Sequence, residues 1–331
     1  MQVKTAEIPI LDNLRAIAAW AVCLYHFVCT TTGFIDTNGM LYKVFYQGQY
    51  GVHLFFIISG LVIPWSMHHK GYQIHNFFRF LGKRLLRLEP PYIFSMLFVL
   101  LIIFMRRYSP TYDGIDRAIT LKQVLLHFGY LVPFFEGVTW INNVYWTLAI
   151  EFQYYLAVGL LYFLFISRHS VLRWLGYAIL LAAPFLPLSS DFMPFWLPLF
   201  GVGILLFSYR SAIVGVGEWA IVTLLCLVHL WLYNSHGASL LALVAIGLIL
   251  LCFDRSIPWI AFLGQFSYSV YLIHPFLGAT FINVCSHYVS GSFAKFMVVL
   301  GGVVITAGGS YLMYRFIEKP SKKLSSRLRY K

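Results

Sequence analysis

Apolar runs close to the ~20 residues that carry an α-helix across a bilayer recur along this sequence, and they leave few choices of fold. Of the 331 residues, 60% are hydrophobic and 11% are charged, less than half the roughly 25% charged residues of a water-soluble domain. In hydrocarbon every backbone N–H and C=O must be satisfied within the structure, which admits helices and closed barrels. The polar–apolar dyads of a barrel strand are missing, so the fold class is all-α, a polytopic membrane helix bundle. About ten transmembrane helices are predicted, at roughly 9–30, 48–67, 86–105, 144–166, 171–188, 193–209, 217–233, 238–253, 260–286 and 293–316. Pro184, Pro187, Pro194 and Pro198 interrupt the middle spans, marking broken or tilted helices shielded by their neighbours. The whole chain, 1–331, reads as a single membrane domain with no fused extracytoplasmic domain.

The formal net charge of +12 invites a nucleic-acid partner, but the positions of the basic residues argue for a membrane instead. Lys70, Arg79, Lys83, Arg84, Arg87, Arg168, Arg173, Arg210, Arg255 and the tail from Lys319 to Lys331 fall on one side of the predicted spans. Lys43, Arg106, Arg107, Arg117, Lys122 and Lys295 fall on the other. Basic residues collect in cytoplasmic loops, so both termini are expected inside, N-in/C-in, with membrane lipids and not nucleic acid as the partner. The first run contains Asp12 and Arg15 and lacks a small-residue cleavage site, so it reads as a retained span and not as a signal peptide. The five cysteines sit in or beside apolar runs without metal-type spacing and read as small core residues.

That first run holds the most informative polar residues. Asp12, Arg15 and His26 share one helical stripe with Ala19 and Val22, and Arg15 and His26 stand about three turns, or roughly 16 Å, apart. Ionisable groups inside a span cost a few kcal/mol and mark functional sites by default. Glu151, near the start of the span at 144–166, is a second intramembrane ionisable group and a possible partner of His26. Trp146 beside it also fits an interfacial aromatic belt. Ser267, Tyr271 and His274 share a face and offer hydroxyls and an imidazole to a polar cavity. Ser59-Gly60 is a small-residue notch for close helix approach. In the basic amphipathic stretch 73–89, Arg84 and Arg87 lie three apart on one face. Two readings stay open for it: an interfacial helix anchored to anionic lipid, or a phosphate site built from guanidinium forks.

Several of these pieces form an ordered set. Leu11-Asp12-x-Leu14-Arg15-Ala16-Ile17-Ala18 is followed by His26, then Phe55-Phe56-x-x-Ser59-Gly60 and Arg84-x-x-Arg87-x-x-Pro90. Trp146-x-Leu148-x-x-Glu151-x-x-Tyr154-Tyr155, Ser267-Tyr268-x-x-Tyr271-Leu272-x-His274 and Glu318-Lys319-Pro320 complete it. In this order, along nearly the whole chain, the sequence resembles the acyltransferase family 3 integral membrane proteins. The resemblance implies an enzyme of about ten helices in the bacterial cytoplasmic (inner) membrane. It would move an acyl group, usually acetyl, from cytoplasmic acyl-CoA to a hydroxyl of a cell-surface or secreted polysaccharide or lipid-linked glycan, as in O-acetylation of exopolysaccharide.

With that chemistry, the expected catalytic pair is His26 and Glu151, and Arg15, Arg84 and Arg87 are expected to bind acetyl-CoA. The pantetheine arm is expected to follow the polar stripe of the first helix up to His26, which acts as general base or takes the acyl group itself. Glu151 is expected to orient His26 or bind the acceptor sugar. Asp12, Ser59, Trp146, Ser267, Tyr268, Tyr271 and His274 support or line the pocket, with Trp146 and Tyr268 as sugar-stacking candidates. No metal is expected, because acyl transfer from a thioester requires a base and oxyanion donors. The same His26, Glu151 and Arg15 allow one alternative, a relay in a proton-coupled carrier or flippase.

Overall fold

A computed structural model describes residues 8–31, 34–108 and 118–330; Arg117 and the side chain of Arg107 lie outside these. Fifteen α-helices follow in order: α1 (Ile10–Cys29), α2 (Met40–Tyr46), α3 (Gly51–His69), α4 (Phe77–Met105), α5 (Leu121–Phe128), α6 (Tyr145–Ile166), α7 (Ser170–Ala182), α8 (Met193–Arg210), α9 (Val216–His229), α10 (His236–Cys252), α11 (Pro258–Gln265), α12 (Ser267–His274), α13 (Thr280–Ser286), α14 (Ser292–Met313) and α15 (Lys319–Arg327). No strand occurs among the described residues.

Among the described residues, helical stretches join into seven rods long and apolar enough to cross a membrane: Met40–His69, Ile74–Met105, Tyr145–Ile166, Met193–Arg210, Val216–Asn234, Ser267–Ser286 and Ser292–Arg327. Ser170–Phe185 and His236–Cys252 are apolar but shorter. The protein is therefore a multi-pass, all-helical membrane protein. The first run, α1, is not among the seven, because Asp12, Asn13, Arg15 and His26 interrupt its apolar sequence. Its neighbours bury it instead: Leu11, Leu14, Ala18, Ala19, Cys23 and Phe27 are each at most 2% exposed.

Two other spans differ from the sequence reading. The basic stretch is no separate interfacial helix, since α4 runs unbroken from Phe77 through Pro90 and Pro91 to Met105. Each proline removes one helical N–H without ending the helix, and near this point the Leu88 carbonyl accepts the Tyr268 hydroxyl at 3.0 Å. The expected single span 260–286 is broken at Phe266, between α11 and α12. There α11 packs so closely on α1 that a Cβ on Gly264 would collide with the Asp12 carbonyl.

The core is built on α3 and α8, whose apolar windows are 67% and 72% buried against 28% for the rods starting at Val216 and Ser292. Gly60 of α3 lies on the Phe200 backbone, and Gly203 of α8 lies on the backbone of Ile57 and Gly60. The predicted notch at Ser59-Gly60 is thus a helix–helix contact. At the ends of α3, α8 and α10, Arg210 sits over the Phe253 ring at 4.0 Å and Trp65 packs on Phe253. The basic residues Lys70, Lys83, Arg84, Arg87, Lys322 and Arg329 meet around the mouth of one cavity near this end.

Candidate active site

The cavity has a volume of about 1180 Å³. Its walls come from α1 (Asp12, Arg15), α3 (Phe55, Ser59), α4 (Lys83, Arg84, Arg87), α6 (Thr147, Glu151, Tyr155), α12 (Ser267, Tyr268, Tyr271) and the tail (Lys322, Arg329, Tyr330). Seven Lys and Arg side chains line it against three carboxylates, Asp12, Glu151 and Glu318. Two of those carboxylates are already engaged by cations: Asp12 Oδ1 with Arg15 Nη1 at 2.8 Å, and Glu318 Oε1 with Lys322 Nζ at 2.6 Å. Burial and the neighbouring Arg84 push the Lys70 ammonium below its ordinary value, the mark of crowded positive charge.

Of the basic residues lining the cavity, Arg84 is the least exposed to solvent. It is 8% exposed, forms no salt bridge among the described residues, and its buried Nε has no hydrogen-bond partner. The guanidinium lies 5.4 Å from the Phe80 ring centroid and 5.7 Å from that of Tyr155, contacts that favour a cation without neutralising it. A buried cation without a salt-bridge partner costs several kcal/mol, and a bound phosphate would offset that cost. The stretch 73–89 divides by face: Phe78 and Arg79 are exposed, whereas Arg84 turns inward to the cavity.

Glu151 is held deeper in the same cavity. Its Oε1 accepts the Ser59 hydroxyl at 2.9 Å and the Tyr155 hydroxyl at 2.6 Å. Tyr271, further along, shares a 2.8 Å hydrogen bond with Thr147 and stands edge-on to Phe55, with ring centroids 5.6 Å apart.

One turn beyond Tyr271 lies a pair of histidines. His274 is fully buried, and its Nδ1 lies 3.0 Å from the Val270 carbonyl and 2.9 Å from the Tyr271 carbonyl. Carbonyls only accept, so Nδ1 carries the proton and Nε2 is left with a lone pair. His26 Nδ1 lies 2.9 Å from that Nε2 and 3.0 Å from the Val22 carbonyl, both acceptors. His26 Nδ1–H therefore donates, and the His26 Nε2 lone pair is free. Two backbone carbonyls thus fix the tautomer of His274, which fixes that of His26. The arrangement can act as a base at His26 Nε2 and can support the charge that the base acquires.

The structure distributes the expected residues between three places. Asp12, Arg15, Arg84, Arg87, Ser59, Glu151, Ser267, Tyr268 and Tyr271 share the cavity. Within it Ser267 turns its hydroxyl to the Gly264 carbonyl at 2.8 Å. His26 and His274 pair with each other and are not among the residues lining the cavity. Trp146 lines a different pocket. The partner of His26 is accordingly His274, 248 residues away, while Glu151 is taken by Ser59 and Tyr155. The expected polar stripe is also interrupted. On α1 the cavity lining stops at Arg15, because Ala18, Ala19 and Val22 are covered, and Gly51 of α3 sits on Ala18 and Val22.

Sequence reasoning assigned no role to Tyr155, Glu318, Lys70, Lys83, Lys322 or Tyr330, although Tyr155 and Glu318 lie in motifs quoted above. Glu318, 1% exposed, joins the tail to α12 by accepting the Ser269 hydroxyl at 2.6 Å. A buried carboxylate in Glu318-Lys319-Pro320, ahead of a basic tail, is the signal that could have found it. Among the described residues no cluster of three His, Cys, Asp or Glu could hold a metal ion.

Fold and site define a class: a helical membrane protein with a basic-mouthed cavity running inward toward a pair of histidines. The pattern of the acyltransferase domain matches residues 8–315, and the chain belongs to that family, acyltransferase family 3. It is also similar to Acyltransferase MdmB of Streptomyces mycarofaciens, at 27% identity over 225 residues, covering 60% of this chain and 55% of that protein. The chain thus matches about half the length of this curated relative. No solved structure matches it.

Proposed function

We propose that the protein is a membrane O-acyltransferase, moving an acyl group, in the first instance acetyl, from acyl-CoA to a hydroxyl of a cell-surface or secreted polysaccharide or glycolipid. Membership of the acyltransferase family supports the reaction class. The observation that carries the donor is buried, unpaired Arg84 in a cavity lined by seven basic side chains. Phosphates of a CoA thioester fit that charge, with Arg84 and Arg87 as forks and Lys70, Lys83 and Arg329 nearer the mouth. In this reading the mouth faces the cytoplasm of a bacterial inner membrane, with about ten crossings and both termini inside, an orientation that the distribution of Lys and Arg supports.

In the proposed reaction the pantetheine arm follows α3, α6 and α12, past Ser59, Glu151 and Tyr268, because α1 is covered beyond Arg15. It ends near Tyr271 and Phe55, next to the histidine pair. His26 Nε2 takes the proton of the acceptor hydroxyl as its oxygen attacks the thioester carbonyl. The tetrahedral intermediate collapses with cleavage of the C–S bond, and the departing thiolate receives the proton back from His26. His274 holds the imidazole and accepts from Nδ1–H while the ring is charged.

Labelled acetyl-CoA incubated with purified protein and a polysaccharide extract is expected to label the glycan. His26→Ala is expected to slow labelling by roughly 10²–10⁴-fold while the protein still inserts in membranes. Normal labelling by that variant would remove His26 from the chemistry, and gradient-driven uptake without transfer would replace the enzyme by a carrier.

A further inference from the structure

A second pocket, of about 630 Å³, lies at the opposite end of the bundle from the basic mouth. It sits where α3, α6 and α8 begin, and α3 spans the distance between the two sites, with His53 near its start in this pocket and Lys70 just past its end at the basic mouth. Trp146, Trp196 and Trp140 form its apolar wall, and Asp191, Asn234 and His53 its polar groups. We propose that this pocket binds a sugar ring of a neutral acceptor glycan, a reading that rests on the acyltransferase function proposed above.

The indole wall is rigid. Trp196 Nε1–H donates to the Ser190 carbonyl at 2.7 Å, and the Trp196 ring lies 5.4 Å from Trp146 at 36°. Tryptophan combines a broad apolar face with one fixed polar edge. The C–H face of a pyranose is flat and apolar and its rim is hydroxylated, so it needs both an aromatic platform and polar groups around it. The pocket supplies the second as well. His53 Nδ1 and Asn234 Oδ1 are buried and have no hydrogen-bond partner. Buried polar atoms left unpaired are costly, and two in one pocket point to a ligand that supplies a donor to one and a suitable partner to the other. A sugar hydroxyl can do either, because it both donates and accepts.

Charge separates this ligand from the donor. No Lys or Arg lines the pocket and one carboxylate, Asp191, does, the reverse of the cavity with its seven basic side chains. A phosphorylated or uronic ligand would be repelled here. The volume falls within the ~300–1,000 Å³ typical of small-molecule sites. A single layer divides the two spaces: Phe56, which lines the cavity, has its ring 5.4 Å from Trp196 and 6.4 Å from Trp146. A glycan held here is thus anchored within one side-chain layer of the donor's compartment.

The test uses the full-length protein in detergent and, as probe, alkali-de-acylated polysaccharide from the surface of the producing cell. Without donor, the probe is expected to change the intrinsic tryptophan fluorescence of the wild type. Trp196→Ala and the exposed-loop variant Asp191→Ala are expected to raise the probe's apparent KM in acyl transfer at least tenfold, leaving acyl-CoA affinity unchanged. Trp196→Phe, which keeps a stacking face, is expected to recover most of the loss. An unchanged probe KM in both variants overturns the sugar site, and so does an equal loss of acyl-CoA affinity. If the wild type binds the probe but transfers nothing, the acyltransferase reading fails and the sugar site stands. If it transfers label with neither variant affected, the site fails and the reaction stands.

Discussion

If His274 supports His26 during proton transfer, removing it must slow the chemical step without touching donor binding. In His274→Ala, His26 Nδ1–H loses its 2.9 Å acceptor and keeps only the Val22 carbonyl at 3.0 Å. A hydrogen bond to a charged group is worth about 1.5–3 kcal/mol. At about 1.4 kcal/mol per decade this is a fall of roughly 10- to 150-fold in kcat. His26→Ala removes the base itself and is expected to cost roughly 10²–10⁴-fold. His274→Gln places an amide oxygen near the position of Nε2 and is expected to recover part of the alanine loss. The assay is initial-rate transfer of labelled acetyl, with the KM for acetyl-CoA measured alongside, because neither histidine lines the cavity proposed to hold the donor. Monodisperse elution in detergent checks that loss of a fully buried ring has not unfolded the bundle. A kcat for His274→Ala within twofold of wild type would refute the dyad, as would a loss confined to KM.

Three further expectations follow from the geometry. Arg84→Met should weaken acyl-CoA binding by about 10- to 100-fold, the range of a lost charge-assisted hydrogen bond. It should not lower the melting temperature of the empty protein, since it removes a buried charge that forms no salt bridge; unchanged affinity by calorimetry would remove Arg84 from the donor site. Gly203→Ala should destabilise the α3–α8 contact by about 1–3 kcal/mol, because its Cβ would lie 2.6 Å from the Gly60 carbonyl carbon and the Leu61 nitrogen; an unaltered melting temperature would contradict this. His127, on the segment before α6, donates from Nδ1 to the Gln123 carbonyl at 2.7 Å and accepts the Ile141 N–H at Nε2, 3.0 Å away. Burial holds its imidazole below the ordinary value, against the Gln123 bond that raises it. The stability it contributes is therefore present above pH ~6.5 and lost as pH falls below that toward the lowered value. Protection of the Ile141 amide from hydrogen exchange should drop between pH 7.5 and 5.5, and should lose that pH dependence in His127→Ala.

Where the sequence spoke clearly, the reason was physical periodicity or length. Runs near 20 apolar residues became helices at the expected places, such as α6 and α8, because hydrocarbon leaves the backbone no other choice. Breaks were harder to see. The expected span began at 86, after the basic stretch, yet α4 starts at Phe77 and continues through Pro90 and Pro91; Phe266 lies inside the expected span 260–286, yet the helix stops there. Those outcomes depend on which neighbour meets the freed backbone groups, and composition carries no record of the neighbour. The inward turn of Arg84 and the outward turn of Phe78 were likewise legible only as a choice between lipid and phosphate.

The same limit explains the histidine pair, and the structure turns it into a constraint on the route. Helical spacing places Asp12, Arg15 and His26 on one stripe of α1, but it cannot say what lies against that stripe. Gly51 packs against Ala18 and Val22, so the stripe is sealed between Arg15 and His26. Arg15 consequently belongs to the cavity, and half-buried His26 to a pair with fully buried His274 of α12. Tyr271 connects them: its hydroxyl meets Thr147 in the cavity wall and its carbonyl accepts from His274 Nδ1. In the proposed reaction Tyr271 and Phe55 therefore form the threshold that the thioester must reach. On this proposal, the helix that supplies the base is not the helix that guides the donor to it.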